Sequence, residues 1–305
     1  MKLFVSGLIN IETTVSVRGF PIPYYPIDYP FFGVRSYVSG VGYNVARALT
    51  RLGDGVTLCS LIGRDEEGDR VLARMERDGL DGSHVLRELD QTPSSAILYD
   101  PRGRRQIYCD LKDIQDRSLD PETVGANLAS CDAAVLCNIG FNRRLIREAR
   151  ARGLLTATDV HVLRDAEDDY NRDFMENADL LFLSDEGLPC APEDFLRRLA
   201  DRYGNRILVL GRGEKGAMLL ERETGLLLSV PAYSPARIVN TVGAGDALFS
   251  AFLHFWLKHG DAGAALERAV VFAGIKIGTD GASEGFPTET ETEEKARFVF
   301  PPAGF

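Results

Sequence analysis

The sequence has no excess of basic residues. Its 35 lysines and arginines are outnumbered by 45 aspartates and glutamates, so the formal net charge is −10. A nucleic-acid partner is therefore disfavoured, because a phosphate backbone is normally bound by a basic face. A nucleotide in a local pocket stays open, since helix N-termini and backbone amides bind phosphates without net positive charge.

Long apolar runs and paired cysteines are also missing. No apolar run approaches the length that a membrane-spanning helix needs, and a strand-like run begins directly after Met1 without a signal-peptide pattern. No Cys-x-x-Cys pair occurs among the five cysteines, so free thiols in a reducing compartment are expected. These are Cys59, Cys109, Cys131, Cys137 and Cys190. We expect a cytoplasmic protein with no membrane partner.

Short apolar runs alternate with amphipathic stretches over most of the 305 residues. The predicted strands are Lys2–Leu8, Val56–Ile62, Ala133–Cys137, Leu154–Val160, Leu180–Ser184 and Ile207–Leu210. Repeated βα units with almost continuously apolar strands indicate a parallel sheet covered by helices on both faces. The predicted fold is a three-layer α/β/α sandwich with a mostly parallel central sheet, in one domain spanning residues 1–305.

Two segments, 12–39 and 94–111, interrupt this alternation with β-like patterns. Together they predict a small β-sheet that projects from the main domain as a lid. The first contains a stretch rich in proline and aromatic residues, Phe20–Phe32. Its rings either cover a sugar or a base, or form an apolar patch for lid packing or dimerisation.

The most informative motif is Asn240-Thr-Val-Gly-Ala-Gly-Asp246, which stands directly before an amphipathic helix. Gly243, Ala244 and Gly245 allow a ligand to approach the backbone, and the first N–H groups of a helix have no internal partner. Asp246 in the first turn is then either a general base beside a phosphate site or a helix cap. The spacing alone leaves both interpretations open.

The run Asn240–Leu253 resembles the C-terminal signature of the ribokinase (PfkB-type carbohydrate kinase) superfamily, with Asn240 where Asp is commoner. The resemblance implies that Asp246 deprotonates a substrate hydroxyl. It also implies that the backbone of Gly243, Ala244 and Gly245, up to Asp246, forms the anion hole.

A second run, Ser39–Ala46, is similar to the superfamily's N-terminal signature, with Ser39 replacing the usual first glycine. By this resemblance Gly40, Gly42 and Asn44 contact substrate hydroxyls. A turn and helix start without substrate contact is the alternative.

The end of the first predicted strand resembles a substrate site of the same superfamily. In the run Gly7-Leu-Ile-Asn10-Ile-Glu12, Glu12 stands where relatives have a hydroxyl-binding Asp, and its extra methylene implies a shifted substrate preference. Asn10 and Glu12 are therefore the predicted substrate-binding residues of this run.

Two loops resemble nucleotide-binding segments. Gly211, Gly213 and Gly216 match a Thr-x-Gly-x-x-Gly loop in which Gly211 replaces the Thr. Gly281 and Ala282 lie in a segment that, in many relatives, closes over the nucleotide and helps to hold a monovalent cation such as K⁺. The alternative for this second loop is a plain connection after a helix.

The metal site departs from the family pattern. Relatives have Asn-x-x-Glu after the fifth predicted strand, whereas this chain has Ser184-Asp185-Glu186-Gly187. Either Asp185 or Glu186 supplies a carboxylate for Mg²⁺, or the run is a solvated loop. His161, two residues after Asp159, is interpreted as a structural histidine.

Taken together, the motifs predict an ATP-dependent kinase that moves the γ-phosphoryl group onto a hydroxymethyl group of a small sugar with Mg²⁺. A nucleoside kinase of the same superfamily and a non-catalytic sugar or nucleotide sensor are the alternatives. A dinucleotide-dependent oxidoreductase is disfavoured, since the first strand is not followed by Gly-x-Gly-x-x-Gly. A homodimer through the lid is the predicted assembly.

Overall fold

The computed structural model describes residues 1–235 and 237–301. Over these residues the strands are β1 (Lys2–Ser6), β2 (Asn10–Ser16), β3 (Val34–Ser39), β4 (Gly55–Gly63), β5 (Val85–Leu89), β6 (Ser94–Tyr99), β7 (Arg105–Asp110), β8 (Ala133–Leu136), β9 (Leu155–Val162), β10 (Leu180–Ser184), β11 (Ile207–Gly211), β12 (Ala217–Glu221) and β13 (Leu227–Val230). The α-helices are α1 (Val41–Arg51), α2 (Glu66–Arg77), α3 (Pro121–Ala129), α4 (Arg143–Ala151), α5 (Arg172–Asn177), α6 (Pro192–Tyr203), α7 (Ala244–His259), α8 (Ala262–Lys276) and α9 (Glu289–Val299).

The central sheet has nine strands over the described ranges, in the order β13-β12-β11-β10-β9-β8-β1-β4-β5. From β11 through to β5 every pairing is parallel. At the other edge β12 and β13 pair antiparallel. The predicted mostly parallel sheet is therefore confirmed, with an antiparallel edge that the sequence patterns did not predict.

Helices cover both faces of this sheet. Leu3 and Val5 of β1 face a hydrophobic cluster that includes α1, α2, α7 and α8. Phe4, between them, faces a second cluster that includes α3, α4, α5 and α6. Successive side chains of a strand point to opposite faces, so almost every residue of these strands is apolar and buried. The predicted three-layer sandwich is confirmed.

The predicted small sheet is also present, in the strand order β3-β2-β6-β7. β2 pairs antiparallel with β3 and parallel with β6, while β6 and β7 form a hairpin. β2 follows β1 closely and β3 leads directly into α1. The small sheet is therefore joined to the main sheet at the end where the parallel strands finish.

All five cysteines are free. Within the described ranges, every helix is too short or too polar to cross a lipid bilayer.

Candidate active site

Asp246 is the third residue of α7 and is 91% buried, with 9% of its surface exposed. Gly243 precedes the helix with φ of 78°, a conformation that favours glycine. A Cβ at this position would lie 2.4 Å from the carbonyl oxygen of Ala282. Gly243 thus allows the run Asn240–Asp246, which contains the predicted anion hole and is called the anion-hole run below, to approach the 279–285 loop closely.

The first turn of α7 leaves backbone donors unused. The N–H of Ala244 donates to the carbonyl of Thr241, and that of Ala247 donates to the carbonyl of Gly243. Within residues 1–235 and 237–301, the N–H groups of Gly245 and Asp246 have no hydrogen-bond acceptor. Free donors at the positive end of a 16-residue helix form a site for an anionic group.

Asn44 on α1 reaches this helix end. Its Nδ2 donates a hydrogen bond of 2.7 Å to Oδ2 of Asp246. The N-terminus of α1 packs closely on the chain after β1: a Cβ on Gly40 would lie 2.4 Å from the carbonyl oxygen of Leu8, and one on Gly42 would lie 2.6 Å from Gly7. Packing therefore explains both glycines, and the contact of Gly40, Gly42 and Asn44 with substrate hydroxyls stays a prediction.

The surroundings of Asp246 tune its acidity. Burial raises the pKa of the Asp246 carboxyl, because the charged form loses its hydration. The hydrogen bond from Asn44 acts in the opposite direction, as do the positive charges of His161 and Lys276. The site holds a carboxylate with increased affinity for a proton, which suits a general base.

Asn10 and Glu12 on β2 face the same region. Asn10 Nδ2 donates to Ser95 Oγ at 3.0 Å, and Ser39 Oγ lies 3.1 Å from Oε2 of Glu12. The remaining oxygens, Oδ1 of Asn10 and Oε1 of Glu12, are buried and lack a donor anywhere in the described ranges. Burial raises the pKa of Glu12 as well, and the negative charge of Asp246 acts in the same direction.

The predicted nucleotide-binding glycines lie in two loops. Gly211 ends β11, and a Cβ on it would lie 3.6 Å from the side chain of Leu248 on α7. Gly213 and Gly216 form the turn into β12 with positive φ values of 54° and 91°. These glycines allow the turn, and their contact with a nucleotide stays a prediction.

The second predicted loop lies against the anion-hole run. The carbonyl of Ala282 is the close neighbour of Gly243, and Gly281 has φ of 82°. Asp280 accepts hydrogen bonds from Asn240 Nδ2 at 3.2 Å and from Tyr37 Oη at 3.2 Å, and it pairs with Arg35. Asp280 therefore links strand β3 of the small sheet to the 279–285 loop and to the start of the anion-hole run at Asn240.

Asp185 and Glu186 follow β10 at the edge of the sheet where the parallel strands end. The N–H of Asp185 donates to the carbonyl of Gly211 at 2.9 Å, and Glu186 is exposed. Over residues 1–235 and 237–301, no group of three or more His, Cys, Asp and Glu side chains could hold a metal ion. Their role toward Mg²⁺ stays a prediction.

Two charged residues near Asp246, His161 and Lys276, were not among the predicted site residues. His161 at the end of β9 has φ of 58°, is 42% exposed and lies 3.4 Å (Nδ1) from Oδ2 of Asp159. Partial loss of hydration opposes its charge, but the neighbouring Asp159 carboxylate outweighs this effect and raises the pKa of His161 to about 9. Lys276, the last residue of α8, is fully buried and donates to the carbonyl of Val242.

Comparison with known proteins assigns the chain to a family. The family model described as "pfkB family carbohydrate kinase" matches residues 2–289. The chain belongs to the pfkB family of carbohydrate kinases. The predicted family membership, fold and enzyme class, a phosphotransferase with an alcohol acceptor, are therefore confirmed.

Curated relatives of this pfkB-family chain include sugar-modifying enzymes. The acarbose 7(IV)-phosphotransferase of an Actinoplanes species is 27% identical over 275 residues, covering 90% of this chain and 89% of that protein. The deoxyribokinase of Salmonella typhi is 26% identical and covers 96% and 98%. A solved structure of a microbiome-derived acarbose kinase superposes with a TM-score of 0.86 at 25% identity, covering 97% and 98%.

Proposed function

We propose that this pfkB-family enzyme transfers the γ-phosphoryl group of ATP to a hydroxymethyl group of a sugar, with Asp246 as the base. The hydrogen bond between Asn44 and Asp246 carries the proposal. It brings the two signature segments together at a helix end with unused N–H donors, where a hydroxyl and a phosphate would meet.

The proposed step needs little covalent chemistry from the protein. Asp246 accepts the proton of the sugar hydroxyl while the hydroxyl oxygen attacks the γ-phosphorus. The bond between the γ-phosphorus and the oxygen that bridges it to the β-phosphate breaks, which gives the phosphorylated sugar and ADP. The N–H groups of Gly245 and Asp246 would stabilise the negative charge that develops on the transferred group. The unused donors and the buried base thus have complementary roles.

Mg²⁺ bound to the phosphates would neutralise part of their charge. Mg²⁺ is usually held by one or two carboxylates together with substrate phosphates, not by an all-protein cage. Asp185 and Glu186 fit that description, because they lie at the ligand edge of the sheet without a closed cluster around them. We infer that one of them contributes a carboxylate, directly or through water.

The buried acceptors of β2 support a polyhydroxylated substrate. Leaving a buried acceptor without a donor costs free energy, on the order of 1–3 kcal/mol. Oδ1 of Asn10 and Oε1 of Glu12 are both in this state. Sugar hydroxyls would donate to them, and the sugar-modifying relatives agree with this substrate class.

The small sheet is proposed to act as a lid. It contributes Asn10 and Glu12 to the site and is tied to the 279–285 loop by Asp280. Closing it would exclude water, which otherwise competes as phosphoryl acceptor.

We also infer a homodimer through this sheet, because Tyr24, Phe31 and Phe32 are more than four-fifths exposed.

Turnover with a panel of pentoses, hexoses, oligosaccharides and nucleosides tests the proposed function. ADP release and the ³¹P spectrum of the product would be measured with Mg-ATP. Magnesium-dependent phosphorylation of a sugar supports the proposal. Preference for a nucleoside would favour the second kinase candidate, and nucleotide binding without turnover on any acceptor would favour a sensor.

A further inference from the structure

Lys276, at the C-terminal end of α8, is unusual because it is a fully buried lysine. None of its surface is exposed, and its Nζ donates a hydrogen bond to the carbonyl oxygen of Val242. An ammonium group has three N–H donors, but within the described ranges this is the single hydrogen bond of Nζ. No carboxylate among the described residues lies within ion-pair distance of it.

Burying an ammonium group in this way is costly unless nearby negative charge compensates. Burial lowers the pKa of Lys276 to about 8, while the negative charges of Asp246, Glu12 and Asp280 act to raise it. The group also lies at the C-terminal end of a 15-residue helix, where the dipole favours a cation. Three carboxylates and a helix end thus share one positive charge inside the site.

The acceptor of its hydrogen bond is part of the anion-hole run. Val242 immediately precedes Gly243, and its own N–H donates to Oδ1 of Asn240 at 2.9 Å. Asn240 in turn donates from Nδ2 to Asp280. Lys276 therefore holds the run from one side while Asp280 holds it from another, directly before the free N–H donors of α7.

We propose that the ammonium of Lys276 is a covalently attached cation that positions the anion-hole run and replaces a free monovalent cation such as K⁺. The proposal rests on the proposed kinase function. Residues of this region do not fit K⁺ well, because an ammonium group already contacts the Val242 carbonyl and a second cation beside it would be repelled. Lys276 is thus a positioning residue that acts through the backbone of Val242 and Gly243.

The first test uses the unaltered enzyme. Turnover would be measured with Mg-ATP in tetramethylammonium buffers, with and without KCl at matched ionic strength. We expect kcat to change by less than about twofold, because the site supplies its own cation. Activation by K⁺ of about tenfold or more would overturn the proposal.

Two variants give the second test. Lys276→Ala removes the ammonium and leaves space, whereas Lys276→Met removes the charge but fills the space. Both should lower kcat by about 30-fold or more, and K⁺ or ammonium should restore part of the turnover to Lys276→Ala only. Lys258→Met, on the exposed part of α7 beside Glu289, is the matched control and should keep normal turnover.

Normal turnover of Lys276→Met would overturn the proposal, and a thermal scan of each variant would identify loss of folding. Binding of Mg-ADP by calorimetry provides a readout apart from turnover. The affinity of the unaltered protein should not depend on K⁺, and that of Lys276→Met should fall by about fivefold or more. If no acceptor is phosphorylated but these binding results hold, the kinase proposal fails and the role of Lys276 stands. K⁺-dependent binding by the unaltered protein would overturn the role of Lys276 and leave the kinase proposal intact.

Discussion

Nδ2 of Asn44 lies 2.7 Å from Oδ2 of Asp246, across 202 positions of the chain. One residue comes from the first turn of α1 and the other from the first turn of α7. The geometry of the proposed base therefore depends on how two helix N-termini are placed on the same sheet.

Replacing Asp246 by Asn should abolish phosphoryl transfer while nucleotide binding remains. We expect kcat to fall by about 10³-fold or more, because the amide of asparagine cannot accept the hydroxyl proton. The affinity for Mg-ADP, measured by calorimetry, should change little. Asp261→Asn, which keeps the N-cap of α8, is the control. A fully active Asp246→Asn enzyme would exclude the proposed base.

Asn44→Ala should change the pH dependence of the reaction. The hydrogen bond from Asn44 opposes the effect of burial on the pKa of Asp246, so its removal raises that pKa further. The acid limb of the kcat/KM profile should then move to higher pH, and activity at pH 6 should fall more than at pH 8. Asn177→Ala on α5 serves as control. An unshifted profile with reduced kcat would indicate a role for Asn44 other than tuning the base.

Glu12→Gln should weaken sugar binding and stabilise the protein at alkaline pH. Burial raises the pKa of Glu12 above its usual 4.5, so the folded state holds this proton more tightly than the unfolded state. The resulting stabilisation is complete below pH 4.5 and is lost as the pH rises through the folded-state pKa.

Glutamine carries no charge and avoids that loss. Tm of Glu12→Gln should therefore exceed that of the unaltered protein at pH 8 and match it near pH 4, while KM for the sugar rises by about tenfold. An unchanged KM would place Glu12 outside the substrate site. Glu88→Gln is the exposed control.

Asp280→Asn should loosen the small sheet. The carboxylate pairs with Arg35 and accepts from Tyr37, so its loss should speed hydrogen exchange in Val34–Ser39. We expect KM for the sugar to rise by about tenfold. Asp110→Asn, which breaks an ion pair with Lys112 elsewhere on the sheet, should leave exchange in β3 unchanged. Equal effects of the two variants on exchange in β3 would contradict a specific role of Asp280 in holding this strand.

The exposed rings of the 20–32 loop should control assembly. Phe31 and Phe32 are 85% and 91% exposed, which is costly for a monomer. Replacing both by Ser should convert a dimer into a monomer in light-scattering measurements, with Tm lowered at micromolar concentrations. If the unaltered protein is itself a monomer, the dimer proposal fails.

The sequence allowed much of the fold to be predicted, because strands of a buried parallel sheet are continuously apolar. The antiparallel edge was not predicted. The run Ala217–Glu221 is as apolar as its neighbours, and only the turn formed by Gly213 and Gly216 reverses its direction. Periodicity carries no information on strand direction.

Site residues could be predicted from the sequence only where they belong to a recognisable motif. The approach of Asn44 to Asp246, and the backbone conformation of His161, depend on tertiary structure and leave no local pattern. Lys276 did leave a signal. It continues the buried positions Ala269 and Phe272 at helical spacing, so a charged residue lies on the apolar stripe of α8. A lysine in that place indicates a buried charge with a specific partner.

Ser39 replaces a glycine of the family pattern, and its hydroxyl lies 3.1 Å from Glu12 Oε2 and 3.3 Å from Asn44 Oδ1. A hydroxyl has one hydrogen, so it serves one of these acceptors at a time. A sugar hydroxyl that donates to Oε2 of Glu12 in place of Ser39 would leave this hydrogen to Oδ1 of Asn44, and so would hold the amide whose Nδ2 already donates to Asp246. Binding of the acceptor would then fix the side chain that contacts the proposed base through the rotation of a single O–H bond, which a glycine could not provide.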